Sequence, residues 1–173
     1  MILKSIDLSL MAEHLTIHKG VLSRLESAYC TVHSNELKQI IYEQIVIMRN
    51  HVKVMLLLMD PNQNEHVTVA ALNELDPVSI KCQNQNTQSK EKNIAIELKN
   101  TAKTMANANF SSALRMKAQN VRDIHINMAL QQATIQHRYH LFLEQNMKEV
   151  APESSIQEQL NTMNSIKKMF NIG

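Results

Sequence analysis

A chain of 173 residues, 44% of them hydrophobic, is long enough to bury the core of a single domain, which we predict over residues 1–173. Aromatic residues make up only 3% and glycine occurs twice, so an all-β fold is disfavoured, because strands favour aromatic side chains and their tight turns use glycine. The formal charge of +2, with acidic and basic residues interspersed, excludes the clustered basic surface of a nucleic-acid-binding protein. No apolar run reaches the length of a membrane span, and the N-terminal segment lacks the apolar core of a secretory signal. We therefore expect a chain made in the cytoplasm that binds neither nucleic acid nor membrane.

Apolar residues recur at helical spacing in four long segments, and a shorter such segment follows near the C-terminus. The second segment ends at Asp60, because Pro61 disfavours helical geometry at the residue before it and cannot itself continue the helix. The third contains Asn107-Ala108-Asn109, which predicts a kink or an interruption, since asparagine is a weak helix former. The predicted helices span residues 8–32, 36–59, 93–117, 120–148 and 155–170.

Residues 60–92, between the second and third helices, differ in composition from the rest of the chain. Asn, Gln, Ser, Thr and two of the three prolines gather here, around residues 83–86, which predicts a long connection with one helical turn near residues 69–75. An up-down-up-down bundle would need only a short loop at this place, whereas two helical hairpins joined by a long crossover are the ferritin-like topology. The predicted fold class is therefore all-α, a ferritin-like four-helix bundle with a short additional C-terminal helix.

Polar side chains occupy inward positions of the predicted helices where a plain bundle would have leucine. The first two helices are antiparallel, and counting residues away from the turn between them places His18 opposite His51. His14 lies one turn before His18, and His125 reaches the level of His14 if the fourth helix runs parallel to the first. The candidate metal ligands are His14, His18, His51 and His125, and a buried polar layer is predicted at Gln44 and Gln132.

Two interpretations of these histidines stay open. Neutral imidazole is a good ligand for zinc and for iron, so converging histidines predict a site for one of these metals. The alternative, which the pattern favours, is a hydrogen-bonded layer without a cofactor, in which His18 pairs with Gln44 or His51 and fixes the helix register. A di-iron site of the ferritin type needs Glu-x-x-His pairs, and the chain contains none. No catalytic residue is therefore predicted, and no cofactor is expected unless zinc or iron is bound.

The sulfur-containing residues give weaker indications. Cys30 and Cys82 are too few for a disulfide framework or a zinc knuckle. They lie in different predicted elements, which leaves a single bridge open, but we expect free thiols in a reducing compartment. The 11 methionines are expected to fill the core as flexible apolar side chains, with a methionine-rich binding surface as the alternative.

Short segments in both hairpins resemble the CotF-like spore coat proteins. In the first hairpin these are residues 15–20, 36–38, Gln44 and 51–55, and in the second they are residues 110–114, 128–132, Tyr139, Met147, Pro152 and Gln159. The resemblance covers roughly residues 8–159, and Lys148 stands where family members often carry glycine. It implies a ferritin-like fold and a non-catalytic structural component of the coat of spore-forming bacteria. The implied partners are other coat proteins or further copies of the chain, after synthesis in the cytoplasm and deposition in the spore coat.

The last segment carries an apolar stripe at helical spacing, formed by Ile156, Leu160, Met163, Ile166 and Phe170. We expect this stripe to pack back on the bundle, with docking of a second subunit as the alternative. The leading hypothesis for the whole chain is a structural or interaction component of the spore coat without catalytic activity. The second is a metal-binding, ferritin-like bundle with a histidine-rich site in its core.

Overall fold

The structure, a computed structural model, describes residues 2–63, 65–82, 90–148 and 150–172. It has five α-helices: α1 (Ser5–Thr31), α2 (Asn35–Met59), α3 (Glu91–Ala113), α4 (Gln119–Met147) and α5 (Ile156–Met169). A 3-10 turn, Leu72–Glu74, lies between α2 and α3, where one helical turn was predicted. No strand occurs in these described ranges, which confirms the all-α prediction. Residues 83–86, the predicted centre of the polar connection, lie outside the described residues.

The observed helix ends differ from the predicted ones mainly in α1 and α3. The first helix begins three residues earlier than predicted, at Ser5, and α3 ends at Ala113 and not at residue 117. Both differences bring the carboxylate of Asp7, in the first turn of α1, to the backbone N–H groups of Lys117 and Ala118, at 2.7 and 3.1 Å. The interruption predicted at residues 107–109 does not occur, because α3 runs through this stretch and the amide of Asn109 donates to the Met105 carbonyl, 2.8 Å away.

Contacts between the helices fix their relative directions. The first two helices form an antiparallel hairpin, joined by the short link around Ser34, whose hydroxyl caps α2. Arg24 pairs with Glu97 near one end, and His14 bonds Ser112 near the other, so α3 runs antiparallel to α1. The start of α1 meets the start of α4 at Asp7, so these two helices are parallel. The four long helices are therefore ordered up, down, down, up, and the long connection spans their length.

The connection is tied to the first hairpin at two points. The hydroxyl of Tyr42 on α2 accepts a hydrogen bond from the Val78 N–H, 2.9 Å away. Four residues later, Cys82 forms a disulfide with Cys30 on α1. The prediction of free thiols is wrong, because the returning connection brings the two Cα atoms to 5.3 Å, within the usual range for a bridge.

The interior consists of two apolar clusters, and the buried polar side chains lie where these meet and among their members. One cluster surrounds the turn of the first hairpin and contains Leu25, Leu37, Ile41, Ile135 and Phe142. The other lies at the opposite end and contains Met11, Met55, Leu58, Val121 and Met128. The polar residues buried in the interior are Asp7, His14, His18, Gln44, His51, Asn109, Ser112, His125 and Gln132.

Helix α5 stands apart from the other four. We expected its apolar stripe to pack back on them, and this expectation is wrong: all the described residues from 150 to 172 are exposed. Ser155 and Glu158 form a reciprocal capping box, in which the Ser155 hydroxyl accepts from the Glu158 N–H and the Glu158 carboxylate accepts from the Ser155 N–H. Local hydrogen bonds of this kind form the helix without a tertiary contact. In the part of the chain described here, no helix has the length and apolarity needed to cross a membrane.

Candidate metal centre

The four predicted metal ligands lie together inside the helices, and each is at most 3% exposed. His14 on α1 and His125 on α4 stand edge to face, with ring centroids 5.3 Å apart. One turn further along α1, His18 faces His51 of α2 at a centroid distance of 5.8 Å, as the residue count from the turn predicted. His14 and His18 are 6.3 Å apart, which joins the two pairs. We call His14 with His125 the first histidine layer, and His18 with His51 the second.

Hydrogen bonds fix the tautomer of three of these rings. The Nδ1 atoms of His18 and His125 lie 2.8 Å from the carbonyl oxygens of His14 and Val121, one turn earlier on the same helices. A carbonyl oxygen only accepts, so both Nδ1 atoms carry the proton and donate it. Since the neutral ring has one N–H, the Nε2 atoms of His18 and His125 hold lone pairs.

The tautomer of His51 is fixed by a hydrogen bond to a side chain. Its Nε2 is 2.7 Å from Oε1 of Gln131, whose own amide nitrogen donates to the Ala70 carbonyl. That second bond sets the orientation of the Gln131 amide, so its oxygen accepts from Nε2–H of His51. The lone pair of His51 is therefore on Nδ1.

In each of the four histidines, one ring nitrogen has no hydrogen-bond partner. These nitrogens are Nδ1 of His14 and His51 and Nε2 of His18 and His125, all buried. On His14, Nε2 meets the Ser112 hydroxyl at 2.8 Å, a group that either tautomer can satisfy. Asn109 lies close enough to raise the pKa of His14, but its Oδ1 makes no hydrogen bond of normal geometry. The first two helices and α4 thus bring ring nitrogens together, and α3 adds Asn109 and Ser112 beside them.

Burial keeps these rings neutral. The pKa of His51 is lowered to about 3, mainly by burial. The neighbouring rings act in the same direction, and the hydrogen bond to Gln131 acts in the opposite one. Burial also lowers the pKa values of His18 and His125 to about 4, although their bonds to backbone carbonyls act in the opposite sense. The pKa of His14 is lowered by burial as well. At neutral pH the centre therefore presents uncharged nitrogen donors, the form in which histidine binds metals.

The predicted polar layer of Gln44 and Gln132 lies closer to the turn of the first hairpin than the two histidine layers do. Gln44 donates to the Gln132 oxygen at 3.1 Å, and the Tyr139 hydroxyl donates to the Gln44 oxygen at 2.9 Å. This part of the hydrogen-bonded interpretation is present. The pairing of His18 with Gln44 or His51 is wrong, because the Nδ1 of His18 bonds to the backbone and its Nε2 bonds to nothing.

The rings do not have the spacing of a formed metal site. Metal–nitrogen bonds of about 2.1 Å place the centroids of two imidazoles on one tetrahedral ion about 5 Å apart. The observed separations of 5.3 to 6.3 Å are larger, and no group of three or more His, Cys, Asp or Glu side chains in the described ranges has the geometry to hold an ion. His14 and His125 are already close to this spacing, whereas the His18–His51 and His14–His18 pairs would have to approach by about an ångström to bind one ion.

Several neighbours of the centre were not predicted from the sequence. Asn109 and Ser112 follow Met105 at inward helical spacing, but the asparagines of this stretch were interpreted as a break. Asp7 was placed before the first predicted helix, and Gln131 was not singled out beside Gln132.

His137 and His140, the other two histidines of α4, lie one turn apart with ring centroids separated by 6.0 Å, and neither is buried.

Comparison of this chain with protein-family models, with curated proteins and with solved structures finds no match.

Proposed function

We propose that this protein binds a transition-metal ion between His14, His18, His51 and His125, in the core of a ferritin-like four-helix bundle. Zinc and iron are the metals that these imidazole donors suit first. The up, down, down, up order of the long helices supports the ferritin-like interpretation, since that topology requires one long crossover.

The observation that carries this proposal is the set of lone pairs without donors. Three nitrogens, on His18, His51 and His125, must accept if they bond at all, because the second nitrogen of each ring already donates to an oxygen. A buried polar group left without a partner costs on the order of 1–3 kcal/mol. A hydrogen-bonded core of the ordinary kind would supply donors to these atoms, whereas a cation satisfies all of them at once.

The outer hydrogen bonds support the same proposal. Histidine ligands of metals usually donate their second N–H to a carbonyl or carboxamide oxygen, which fixes the tautomer and orients the ring. His18, His51 and His125 all have such a partner. The centre differs from a di-iron site in having no carboxylate among its donors, so we propose binding and no catalytic step.

Metal analysis of the purified protein tests the proposal. The chain is expressed without a histidine tag, purified without chelators, and its metal content is measured by mass spectrometry before and after loading with Zn²⁺, Fe²⁺ or, under reducing conditions, Cu(I). We expect about one ion per chain, lost in His18→Ala His51→Ala and retained in His137→Ala His140→Ala, which removes two histidines that are not buried. Wild-type protein that binds no metal after loading would overturn the proposal.

A second candidate function is that of an assembly component, as the resemblance to spore coat proteins implies. The specific observation in its favour is α5, where Leu160, Met163 and Ile166 are 43%, 44% and 47% exposed and Ile156 is 78% exposed. Contiguous exposed apolar surfaces are typical of sites that bind other proteins. In this proposal α5 attaches the protein to coat proteins or to further copies of the chain.

Substitution in the stripe separates this function from metal binding. Leu160→Asp Met163→Asp should abolish association with coat proteins or with itself, measured by light scattering and by retention in isolated spore coats. Gln157→Asp Asn161→Asp, on the polar part of the same helix, is the matched control. Unchanged association of the first variant would exclude α5 as the attachment segment.

A further inference from the structure

Two buried methionines lie at the levels of the histidine layers. Helices α1 and α2 are antiparallel and His18 faces His51, so the turn from His18 to His14 corresponds to the turn from His51 to Met55. Met55 has no exposed surface, and this register brings it to the level of the first layer. On α4, parallel to α1, the next inward residue after His125 is Met128, also fully buried, which reaches the level of the second layer.

Each layer thus combines two imidazoles with one thioether. The first contains two imidazoles, the thioether of Met55 and the hydroxyl of Ser112, which bonds His14. The second contains two imidazoles and the thioether of Met128, while the amide of Asn109 lies against His14, in the first layer. All of these groups are uncharged. The nearest buried acid, Asp7, uses both carboxylate oxygens to accept from backbone N–H groups.

We propose that the ion held by the histidine layers is Cu(I), bound by imidazole nitrogens together with the thioether sulfurs of Met55 and Met128. The inference rests on the proposed metal-binding function and specifies the metal that the site selects.

Ligand softness is the first reason. Thioether sulfur is a soft donor that selects Cu(I), while imidazole binds copper as well as zinc and iron. Zinc and ferrous ions gain little from thioethers and are commonly held by at least one anionic ligand, which these layers do not provide. A mixed set of neutral nitrogen and sulfur donors therefore favours the cuprous ion.

Charge is the second reason. The energy needed to move an ion from water into a region of low dielectric rises with the square of its charge, so a monovalent cation costs about a quarter as much as a divalent one. His18, His51, His125 and Met55 are completely buried. The carboxylates that act on the rings, Asp7 on His125 and Glu13 on His14, are not among the proposed donors. The interior therefore discriminates against Zn²⁺ and Fe²⁺ by electrostatics as well as by ligand type.

Competition with a chromophoric Cu(I) chelator tests the inference. Full-length protein is titrated under nitrogen with Cu(I) and ascorbate, and in parallel with Zn²⁺. A thiol assay confirms beforehand that Cys30 and Cys82 are oxidised, since free thiols would bind copper. The disulfide lies about 18 Å along α1 from His18, too far to contribute a ligand. X-ray absorption of the copper-loaded protein reports directly whether sulfur is bound.

The decisive variant is Met55→Leu Met128→Leu, which conserves side-chain volume. We expect its Cu(I) affinity to fall by about tenfold or more and its copper–sulfur scattering to disappear, while its Zn²⁺ affinity changes by less than about threefold. The matched control, Met105→Leu Met147→Leu, alters two methionines of the other apolar cluster and should leave Cu(I) affinity unchanged. Circular dichroism checks that each variant is folded.

The outcomes separate the inference from the function on which it rests. Cu(I) affinity that is the same in the wild type and in Met55→Leu Met128→Leu, with zinc bound at the histidines, would overturn the copper inference and leave metal binding in place. Binding of neither Cu(I) nor Zn²⁺ would overturn both.

Discussion

Acid should destabilise the metal-free protein through its buried histidines. The pKa of an unfolded histidine is about 6.5, while burial lowers the folded-state pKa of His51 to about 3 and those of His18 and His125 to about 4. As pH falls below about 6.5, the unfolded chain takes up protons that the folded chain does not, so the free energy of unfolding decreases. The loss ends near pH 3 to 4, where the folded protein binds the same protons.

The size of the effect follows from these values. Between its unfolded pKa and about pH 5, each of the three histidines lowers the free energy of unfolding by about 2 kcal/mol, at 1.36 kcal/mol per pH unit. Together the three remove about 6 kcal/mol, which is comparable with the whole stability of an ordinary domain.

Urea unfolding in EDTA, followed by circular dichroism between about pH 7.5 and pH 5, measures the loss. The variant His51→Leu should lose about 2 kcal/mol less than the wild type over this range, since it lacks one of the three groups. His137→Gln His140→Gln, which alters two histidines that are not buried, should lose as much as the wild type. A wild-type stability that changes by less than about 1 kcal/mol would refute the account of the buried, neutral rings.

Three further predictions concern other parts of the interior. Asp7→Asn should lower the free energy of unfolding by about 1 kcal/mol in thermal unfolding, because the charged acceptor at the start of α4 is lost, and the exposed-side control Asp123→Asn should change it less. Cys30→Ser Cys82→Ser should lower it by about 4 kcal/mol in urea, the chain-entropy value for a separation of 52 residues, whereas an unchanged urea midpoint would contradict a disulfide in the purified protein. Gln44→Leu should cost about 1–3 kcal/mol, because the Tyr139 hydroxyl and the Gln132 oxygen lose their partner, and equal stability would mean that they find other ones.

Helical spacing predicted the four long helices and the facing of His18 and His51, because both depend on local geometry. The inward period of 3.6 residues marks the buried face of each helix, and the short turn after α1 fixes the register of its hairpin. Predicting that His125 lies at the level of His14 required one additional assumption, that α4 is parallel to α1. The hydrogen bonds from the start of α4 to Asp7 show that the two helices are parallel.

The features that the sequence did not predict depend on long-range contacts. The disulfide requires the path of the connection across the hairpin, which composition does not encode. Asn109 has a low intrinsic helix propensity, but its amide bonds to the Met105 carbonyl and its neighbours on α3 are buried, so tertiary packing overrides the local preference. The apolar stripe of α5 has the same periodicity whether its partner is this chain or another, so periodicity did not reveal that the stripe is exposed.

The position of the histidine layers, with aliphatic side chains on both sides of them along each helix, has a consequence for sequence variation. If one helix were displaced by one turn, about 5.4 Å, its imidazole would face aliphatic side chains of the neighbouring helices, and one of its aliphatic side chains would face their imidazoles. The layers therefore fix the axial register of the helices. Apart from Met55 and Met128, each apolar cluster can then exchange leucine, isoleucine and methionine among its own members without disturbing the other cluster. Homologous chains should therefore differ freely at both ends of the molecule and agree at its middle.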